Sequence, residues 1–452
     1  MDLNNKIVLL VGLAKTGVST IKKLDKLGAK IIVNDIKSKD QLKDIIKQIE
    51  NLDSVEYILG HHLEDISNID LTIVSPGVPL DLPFIKKLQS ENINIIGEVE
   101  LAYKLSKNPT FVGITGTNGK TTTTSLVGEI FKKASKDSYI VGNIGNPVID
   151  TVDLTDENSF LITELSSFQL ESIEDFKPRV STIINITEDH LNRHHTMENY
   201  INAKANIFKN QDANDFCILN YDDEIVRELG NKTNAKVLYF SQKEKVSQGA
   251  YLDDNNNIVI KINDKEIKLL NKDELSLPGN HNLENCMAAI LMSYVLGIDL
   301  EIIKDTLKTF KSVEHRLEFV TDKDGIMFVN DSKGTNPDST IKAITSYDKP
   351  IVLIAGGKDK QSDFTEMISY ATKNVKALVL LGETADKIEQ TAKLQGMNNI
   401  FRVSDMKEAV KTAYKLAQSG DVVLLSPACA SWDMYPNFEA RGLDFKENIY
   451  NL

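Results

Sequence analysis

The segment Gly113-Ile114-Thr115-Gly116-Thr117-Asn118-Gly119-Lys120-Thr121-Thr122 constrains this chain more than any other stretch. It follows the apolar run Phe111–Ile114 and precedes the helix-forming stretch Thr122–Lys133. A strand, a glycine-rich turn and a helix in that order make a phosphate cradle. The glycines let backbone N–H groups converge on oxygens, and the helix N-terminus adds positive potential. Lys120 would neutralise β- and γ-phosphate charge, and the Thr121 hydroxyl would ligate Mg²⁺. The strict G-x-x-x-x-G-K-[ST] spelling is not met, because position 114 is Ile. A glycine-rich turn would explain a lone Gly-Lys pair. Three glycines, Lys-Thr and the strand–loop–helix frame together point to nucleotide binding.

Around this segment, short β-branched apolar runs alternate with amphipathic stretches. Lys6–Gly12, Lys30–Asp35, Val55–Leu59, Leu71–Val74 and Ile93–Ile96 read as strands, Gly17–Leu27 and Lys39–Ile49 as helices. The alternation restarts near Thr110 and again after His315-Arg316, with weak period-2 stretches such as Asn257–Ile262 suggesting small antiparallel edge strands. The expected fold is α/β in three domains: a Rossmann-like N-terminal domain over 1–97, a central P-loop ATPase-type domain over 98–312 and a Rossmann-like C-terminal domain over 313–452. The 452 residues agree with that count at ~150 per domain. A net charge of −13 argues against nucleic-acid or anionic-membrane partners. The early apolar run Ile7–Ala14 is far shorter than the ~20 residues of a membrane span. Asp2 spoils a signal-peptide layout. Cys217, Cys286 and Cys429 are scattered, without a metal or disulfide spacing. A cytoplasmic protein is expected.

Within the central domain, the run Phe160–Thr163 leads into Glu164, and Thr182–Ile186 leads into Thr187-Glu188-Asp189-His190. Carboxylates and an imidazole at carboxyl ends of parallel strands face the crevice where such folds bind ligands. Either acid alone could instead cap the next helix. Two such strand ends beside a phosphate loop favour metal binding, while His194-His195 read as surface loop. Met197–Phe208 reads as a helix whose apolar stripe carries Lys204. Its ammonium either snorkels to water or is aimed at phosphate or metal. Asn282 and Asn285 open a further helix, as caps or as readers of an adenine edge.

The flanking domains carry weaker signals. Gly12-Leu13-Ala14-Lys15-Thr16-Gly17 is a degenerate dinucleotide turn, with Asp35 at the ribose-binding place and Ser75-Pro76-Gly77 nearby on the same sheet edge. They fit a nucleotide-like ligand such as a UDP sugar; a nicotinamide-binding oxidoreductase or regulator is the alternative from another class. At the other end, Asp331 suits an adenosine hydroxyl and Lys333 a substrate carboxylate. Small residues around Ser426-Pro427-Ala428-Cys429-Ala430-Ser431-Trp432 read as a ligand loop, in which Cys429 has no base to make it a nucleophile.

Taken together, GLAKTG (12–17), SPG (75–77), GITGTNGKTTT (113–123), GNIG (142–145), ELSSFQLE (164–171), NITEDHLNRH (185–194), AKANIF (203–208), PGNHNLEN (278–285), HR (315–316), NDSKGTNP (330–337) and SPACASWDMYPNFEARG (426–442) resemble the Mur ligase family over essentially the whole chain. The phosphate loop is shared with folylpolyglutamate-type ligases. The GLAKTG and SPACASWD…NFEARG segments are closer to the D-glutamate-adding branch. The resemblance implies an ATP- and Mg²⁺-dependent amide ligase of cell-wall precursor synthesis, expected to be monomeric. Its substrates would be UDP-N-acetylmuramoyl-L-alanine and D-glutamate. It further implies ATP contacts at Gly116, Thr117, Asn118, Gly119, Lys120, Thr121, Thr122, Asn282, Asn285, Arg316 and Asp331. Catalytic roles fall to Lys120, Glu164, His190 and Lys204, and metal ligation to Thr121, Glu164, His190 and a carbamylated Lys204. Thr16, Asp35 and Asn143 are implied at the UDP-sugar, and Lys333, Thr335, Lys360, Ser431 and Phe438 at D-glutamate. Lys358 and Lys360 compete for one of those places.

Overall fold

The computed structural model describes residues 1–452 apart from Asp264, Pro278, Ser312, Val313 and Asp348, and apart from the side chain of Lys15. The expected boundary at 312/313 and Pro278 of the 278–285 segment lie outside the described residues. Among the described residues no helix is long and apolar enough to cross a membrane.

The strands are β1 (Ile7–Val11), β2 (Lys30–Asp35), β3 (Val55–Leu59), β4 (Leu71–Val74) and β5 (Ile95–Gly97) in a first sheet. A second holds β6 (Thr110–Thr115), β7 (Ser138–Gly142), β8 (Phe160–Glu164), β9 (Val180–Ile183), β10 (Phe216–Asn220), β11 (Lys236–Ser241), β12 (Gly249–Leu252), β13 (Asn257–Ile262) and β14 (Lys265–Asn271). A third holds β15 (Glu318–Lys323), β16 (Ile326–Asn330), β17 (Ile351–Ala355), β18 (Val375–Leu380), β19 (Ile400–Arg402) and β20 (Val422–Leu425). Four of the helices carry candidate site residues or pack against them: α1 (Lys120–Lys133), α2 (Met197–Ala205), α3 (Asn280–Val295) and α4 (Phe438–Tyr450). The chain divides into two compact units, Met1–Asp273 with Glu284–Thr306, and Glu274–Leu283 with Leu307–Leu452.

In the first unit, the five-stranded sheet has order β3-β2-β1-β4-β5 and is parallel throughout. Its central strand alternates between two cores: Val8 and Leu10 pack on one face, Leu9 and Val11 on the other. A strand buried on both sides reads as a continuous apolar run, which is why Ile7–Val11 carries no polar residue. The nine-stranded sheet has order β14-β13-β12-β11-β10-β9-β6-β8-β7, parallel except for its antiparallel edge β12–β14. The phosphate-loop strand β6 therefore lies between β8 and β9, the two strands that end in acidic loops.

In the second unit, the order is β15-β16-β20-β17-β18-β19, with only β15 antiparallel. Adjacent strands β16, β20 and β17 end in the loops 331–337, 426–432 and 356–360. Ile351, Leu353 and Ala355 face one core and Val352 and Ile354 the other.

Some elements differ from expectation. The helix expected over 39–49 is α-helical only at Lys43–Ile46. Flanking bonds mix three- and four-residue spacings, such as Gln48 N–H to the Ile45 carbonyl and Leu42 N–H to the Ser38 carbonyl, so the stretch is a series of tight turns that still buries Leu42 and Ile49. Strand β9 ends at Ile183, and residues 184–186 form loop where the strand was expected to continue. The helix expected over 197–208 is α-helical through Ala205 and finishes as a 3₁₀ turn, Asn206–Phe208.

Candidate active site

Strand β6 delivers the chain to Gly116, and the loop turns into α1 through Gly119 at φ 86°. A Cβ at Gly119 would sit 2.2 Å from Asn285 Oδ1 in α3, so this left-handed position requires glycine. Asn185, in the loop after β9, fixes the turn from below. Its carbonyl accepts the Thr117 N–H (2.8 Å), its Oδ1 accepts the Asn118 N–H (2.8 Å) and its amide donates to the Asn118 carbonyl (3.2 Å). Lys120 Nζ arches back over the loop to the carbonyls of Gly116 and Thr117, both at 2.8 Å. Thr121 and Thr122 are buried in the first turn of α1. Gly119→Ala is expected to displace the Asn285 amide and to cost about 1–3 kcal/mol in backbone strain. A lowered unfolding temperature together with weakened nucleotide binding in a titration checks this.

Strand β8 places Glu164 at the adjacent strand end, 1% exposed. Its Oε1 accepts the Asn143 amide at 2.7 Å, while its buried Oε2 has no hydrogen-bond partner among the described residues. A buried carboxylate oxygen left without a donor is costly unless a cation covers it. This oxygen is the feature that suits a divalent ion. From the β9 side, His190 enters at φ 55°, its N–H bonded to Asp189 Oδ1 (2.9 Å) and its half-buried ring 4.9 Å from Phe168. Asp189 thus orders its own turn rather than capping a long helix.

Lys204, on α2, is 1% exposed, which removes the snorkelling alternative. Its Nζ donates to the Gly116 carbonyl at 2.7 Å and lies 4.7 Å from the Tyr200 ring centroid. Burial pushes its ammonium well below the usual lysine range, the Lys120 charge adds to that, and Asp189 and Glu164 pull the other way. Hence Lys120, Glu164, Asp189 and Lys204 share one electrostatic neighbourhood beneath the phosphate loop. Tyr200, singled out by no motif, shares a 3.1 Å hydrogen bond with Thr117 Oγ1 and walls the lysine.

His194 is not surface loop: it is 4% exposed, its Nε2 meets Ser167 Oγ at 2.9 Å and its Nδ1 meets Glu171 Oε1 at 3.1 Å. Arg193 bridges Glu171 Oε2 (2.6 Å) and the Val78 carbonyl (2.9 Å), tying the loop after β9 to the loop after β4. His195 is exposed, as expected.

The first sheet carries a separate cleft of about 290 Å³ between the loops after β1 and β4, where the strand order reverses. Thr16, Asp35, His62 and Ser75 line it. Both Asp35 oxygens are engaged by backbone, Oδ2 with the Leu13 N–H (2.8 Å) and Oδ1 with the Lys37 N–H (2.9 Å), so this acid shapes the glycine turn. Asn143 lies outside that cleft, beside Glu164.

In the second unit, Asn282 is buried in the first turn of α3. Asp331 is 2% exposed; its Oδ1 accepts the Leu317 N–H (3.3 Å) and its Oδ2 the Ser426 hydroxyl (2.8 Å). Burial raises its carboxyl to about 6 against the opposing charge of Arg316. Lys333 Nζ lies 5.3 Å over the Phe438 ring, and Thr335 follows in the same loop. Lys358 is paired with Glu383 (2.7 Å), whereas Lys360 Nζ lies 5.9 Å from the ring of exposed Trp432, next to buried Ser431. Arg441 is a residue the motifs contained without suggesting a role. Buried on α4, it donates to the Ser332 carbonyl (2.8 Å) and hydroxyl (3.0 Å) and to the Cys429 carbonyl (3.1 Å), joining the loops after β16 and β20. Cys429 is buried, and burial pushes its thiol up to about 12, which disarms it as a nucleophile.

Comparison with known proteins adds independent findings. Residues 6–97 match the Mur ligase MurD-like N-terminal domain, 114–293 the Mur ligase middle domain and 315–429 the Mur ligase glutamate ligase domain. The chain is 67% identical to the UDP-N-acetylmuramoylalanine–D-glutamate ligase of Clostridioides difficile (strain 630) over 100% of both chains. It is 51% identical to the ligase of the same name from Alkaliphilus oremlandii, again over 100% of both. Among solved structures, UDP-N-acetylmuramate-alanine ligase from Thermotoga maritima aligns with TM-score 0.61 and 20% identity, covering 99% of each chain. A pseudomurein peptide ligase from Methanothermus fervidus aligns with TM-score 0.60 and 19% identity, covering 99% of this chain and 100% of its own. These two likenesses concern the fold alone.

Proposed function

The chain belongs to the Mur ligase family, and on that premise we propose that it joins D-glutamate to UDP-N-acetylmuramoyl-L-alanine at the expense of ATP. The observation that carries the reading is the neighbourhood under the phosphate loop. There Lys120 and fully buried Lys204 both donate to the Gly116 carbonyl, and a buried Glu164 oxygen without a donor among the described residues belongs to a carboxylate whose charge Lys204 feels. ATP consumption fits a cytoplasmic setting.

The alanyl carboxylate attacks the γ-phosphorus, the bond to the bridging oxygen breaks and ADP leaves with that electron pair. The amine of D-glutamate then attacks the acyl-phosphate carbonyl, inorganic phosphate departs and the nitrogen loses a proton. Lys120 moves its ammonium from the loop carbonyls to the γ-phosphoryl oxygens, where negative charge accumulates. Gly116–Thr122 hold the phosphate chain by backbone N–H groups. Asn282, Asn285, Arg316 and Asp331 hold the adenosine part. Thr121, Glu164, His190 and Lys204 as its carbamate would hold Mg²⁺, which supplies neutralisation of phosphate charge when bound. Lys204 suits carbamylation because burial favours its neutral amine, the form that attacks carbon dioxide. Thr16 and Asp35 serve the UDP end of the substrate and Asn143 its sugar, positioning them by cleft shape and backbone groups.

Lys333, Thr335, Lys360, Ser431 and Phe438 receive D-glutamate, and Lys360 rather than Lys358 takes a carboxylate because Lys358 already has Glu383. Trp432 is the only tryptophan in the sequence. D-glutamate is therefore expected to draw Lys360 off its ring and change the intrinsic emission, in the presence of the UDP substrate and a non-hydrolysable ATP analogue. L-glutamate should leave the emission unchanged. An unresponsive spectrum at D-glutamate concentrations that saturate turnover would remove Lys360 from the site. For the function itself, the test is ADP formation with UDP-N-acetylmuramoyl-L-alanine and a panel of D-glutamate, L-lysine and meso-diaminopimelate. Only D-glutamate should support it; turnover with a diamino acid would move the chain to another branch of the family.

A further inference from the structure

Arg316 stands between two non-glycine residues in the left-handed region, His315 at φ 64° and Leu317 at φ 44°. Such backbone is strained, and persists only where its surroundings over-determine it. Here the surroundings are specific. Glu318 Oε2 accepts the His315 N–H at 2.9 Å and the Asn330 amide at 3.0 Å, while Asp331 Oδ1 accepts the Leu317 N–H at 3.3 Å. The other Glu318 oxygen pairs with Lys446 Nζ at 2.6 Å, and the same ammonium reaches Glu314 Oε1 at 2.8 Å. Glu318 and Lys446 are mostly shielded, with side chains 16% and 19% exposed. Acidic Glu314 and Glu318 beside His315 resemble a metal cluster by composition, but Lys446 already supplies their cation.

Packing closes the remaining freedom of the turn. The His315 ring meets Phe438 edge-on at 6.1 Å, its Nδ1 lies 3.0 Å from the Asn330 amide, and a Cβ at Gly442 would come within 2.3 Å of it. Lys446, Phe438 and Gly442 all belong to α4. Glu318 thus has one oxygen on the strained turn and one on the helix that carries Phe438.

We propose that Glu318, anchored by Lys446, is the positioning residue that holds the His315–Leu317 turn in its strained form and fixes the direction in which Arg316 meets the adenosine part of ATP. This rests on the reading of Arg316 as an ATP contact. A carboxylate suits the task because it accepts a backbone N–H with one oxygen while a charge-assisted pair immobilises the other. Without it the turn relaxes to ordinary backbone and the guanidinium swings away.

The experiment is a double-mutant cycle on the full chain, with Arg316→Ala, Glu318→Ala and both together, plus Glu318→Gln and Lys446→Met. Glu318→Ala is expected to raise the KM for ATP on the order of tenfold, the effect of losing one well-placed polar contact. The KM for D-glutamate and kcat should change little. In the Arg316→Ala background the same substitution should add nothing further. Glu318→Gln, whose amide oxygen still accepts the His315 N–H, should recover most of the affinity. Lys446→Met should show a smaller rise, and these two variants carry the test if Glu318→Ala does not fold. An unchanged KM for ATP in Glu318→Ala, or an equal rise with and without Arg316, overturns the proposal. Should Arg316→Ala itself leave that KM unchanged, the ATP reading of Arg316 has failed, and the inference built on it falls for that separate reason.

Discussion

Lys120→Ala is expected to lower kcat on the order of 10³-fold, the scale of removing a preorganised charge from a transition state. The ammonium is already held at the loop by the Gly116 and Thr117 carbonyls, within the segment read as the phosphate cradle. Arginine is not an equivalent substitute, since it spreads its charge over a wide planar fork where lysine presents a compact point charge. Folding should survive, because the Gly116 carbonyl still accepts from Lys204 Nζ when Lys120 is truncated. Phosphate release at saturating substrates measures the loss, and a thermal melt confirms that the fold is intact. A fall of less than about tenfold, equivalent to only 1.4 kcal/mol, would mean that Lys120 does not bear on the transferring phosphoryl group.

The second large effect concerns Lys204. Lys204→Met is expected to reduce turnover by about 10²–10³-fold, since it deletes a ligand and a charge from the reacting centre. It should leave stability equal or higher, because a buried polar amine with one carbonyl partner is exchanged for an apolar side chain of similar length. Loss of activity with a gain in melting temperature is the signature of a residue kept for chemistry. In the proposed modification the neutral amine attacks carbon dioxide, an N–C bond forms and one N–H proton leaves to solvent. The resulting anion would face Glu164 and Asp189, so it should accumulate only when a cation is also bound. With ¹³C-bicarbonate, the wild-type protein should give a carbamate carbon resonance that grows with Mg²⁺ and is absent from Lys204→Met. Full activity of the methionine variant would reject the ligand role, and a missing resonance would reject the carbamate.

Much of this site was legible in the sequence because its pieces are local. A strand, a glycine turn and a lysine at a helix start are written in consecutive residues, and the period of 197–208 put Lys204 on a buried face. Partners distant in sequence were not legible. Lys358 and Lys360 look equivalent until Glu383, on another loop, claims the first. His194 reads as loop until Ser167 and Glu171 enclose it. Leu42, Ile45, Ile46 and Ile49 have helical spacing, yet only residues 43–46 are α-helical, because burial of the same face is met by tight turns. Strand order was beyond local pattern as well. Nothing within Phe111–Thr115 says that it pairs with both Phe160–Glu164 and Val180–Ile183, and that pairing is what sets the strand ends carrying Glu164 and Asp189 on either side of the phosphate-loop strand.

The site is expected to carry out an ATP-driven ligation specific for one enantiomer of one amino acid. Purified protein should be given ATP, Mg²⁺ and UDP-N-acetylmuramoyl-L-alanine, and phosphate release followed with no amino acid, with L-glutamate and with D-glutamate. Release that begins only on adding D-glutamate, in step with the amide product, is the expected result. Release without D-glutamate, or equal release with L-glutamate, would contradict it.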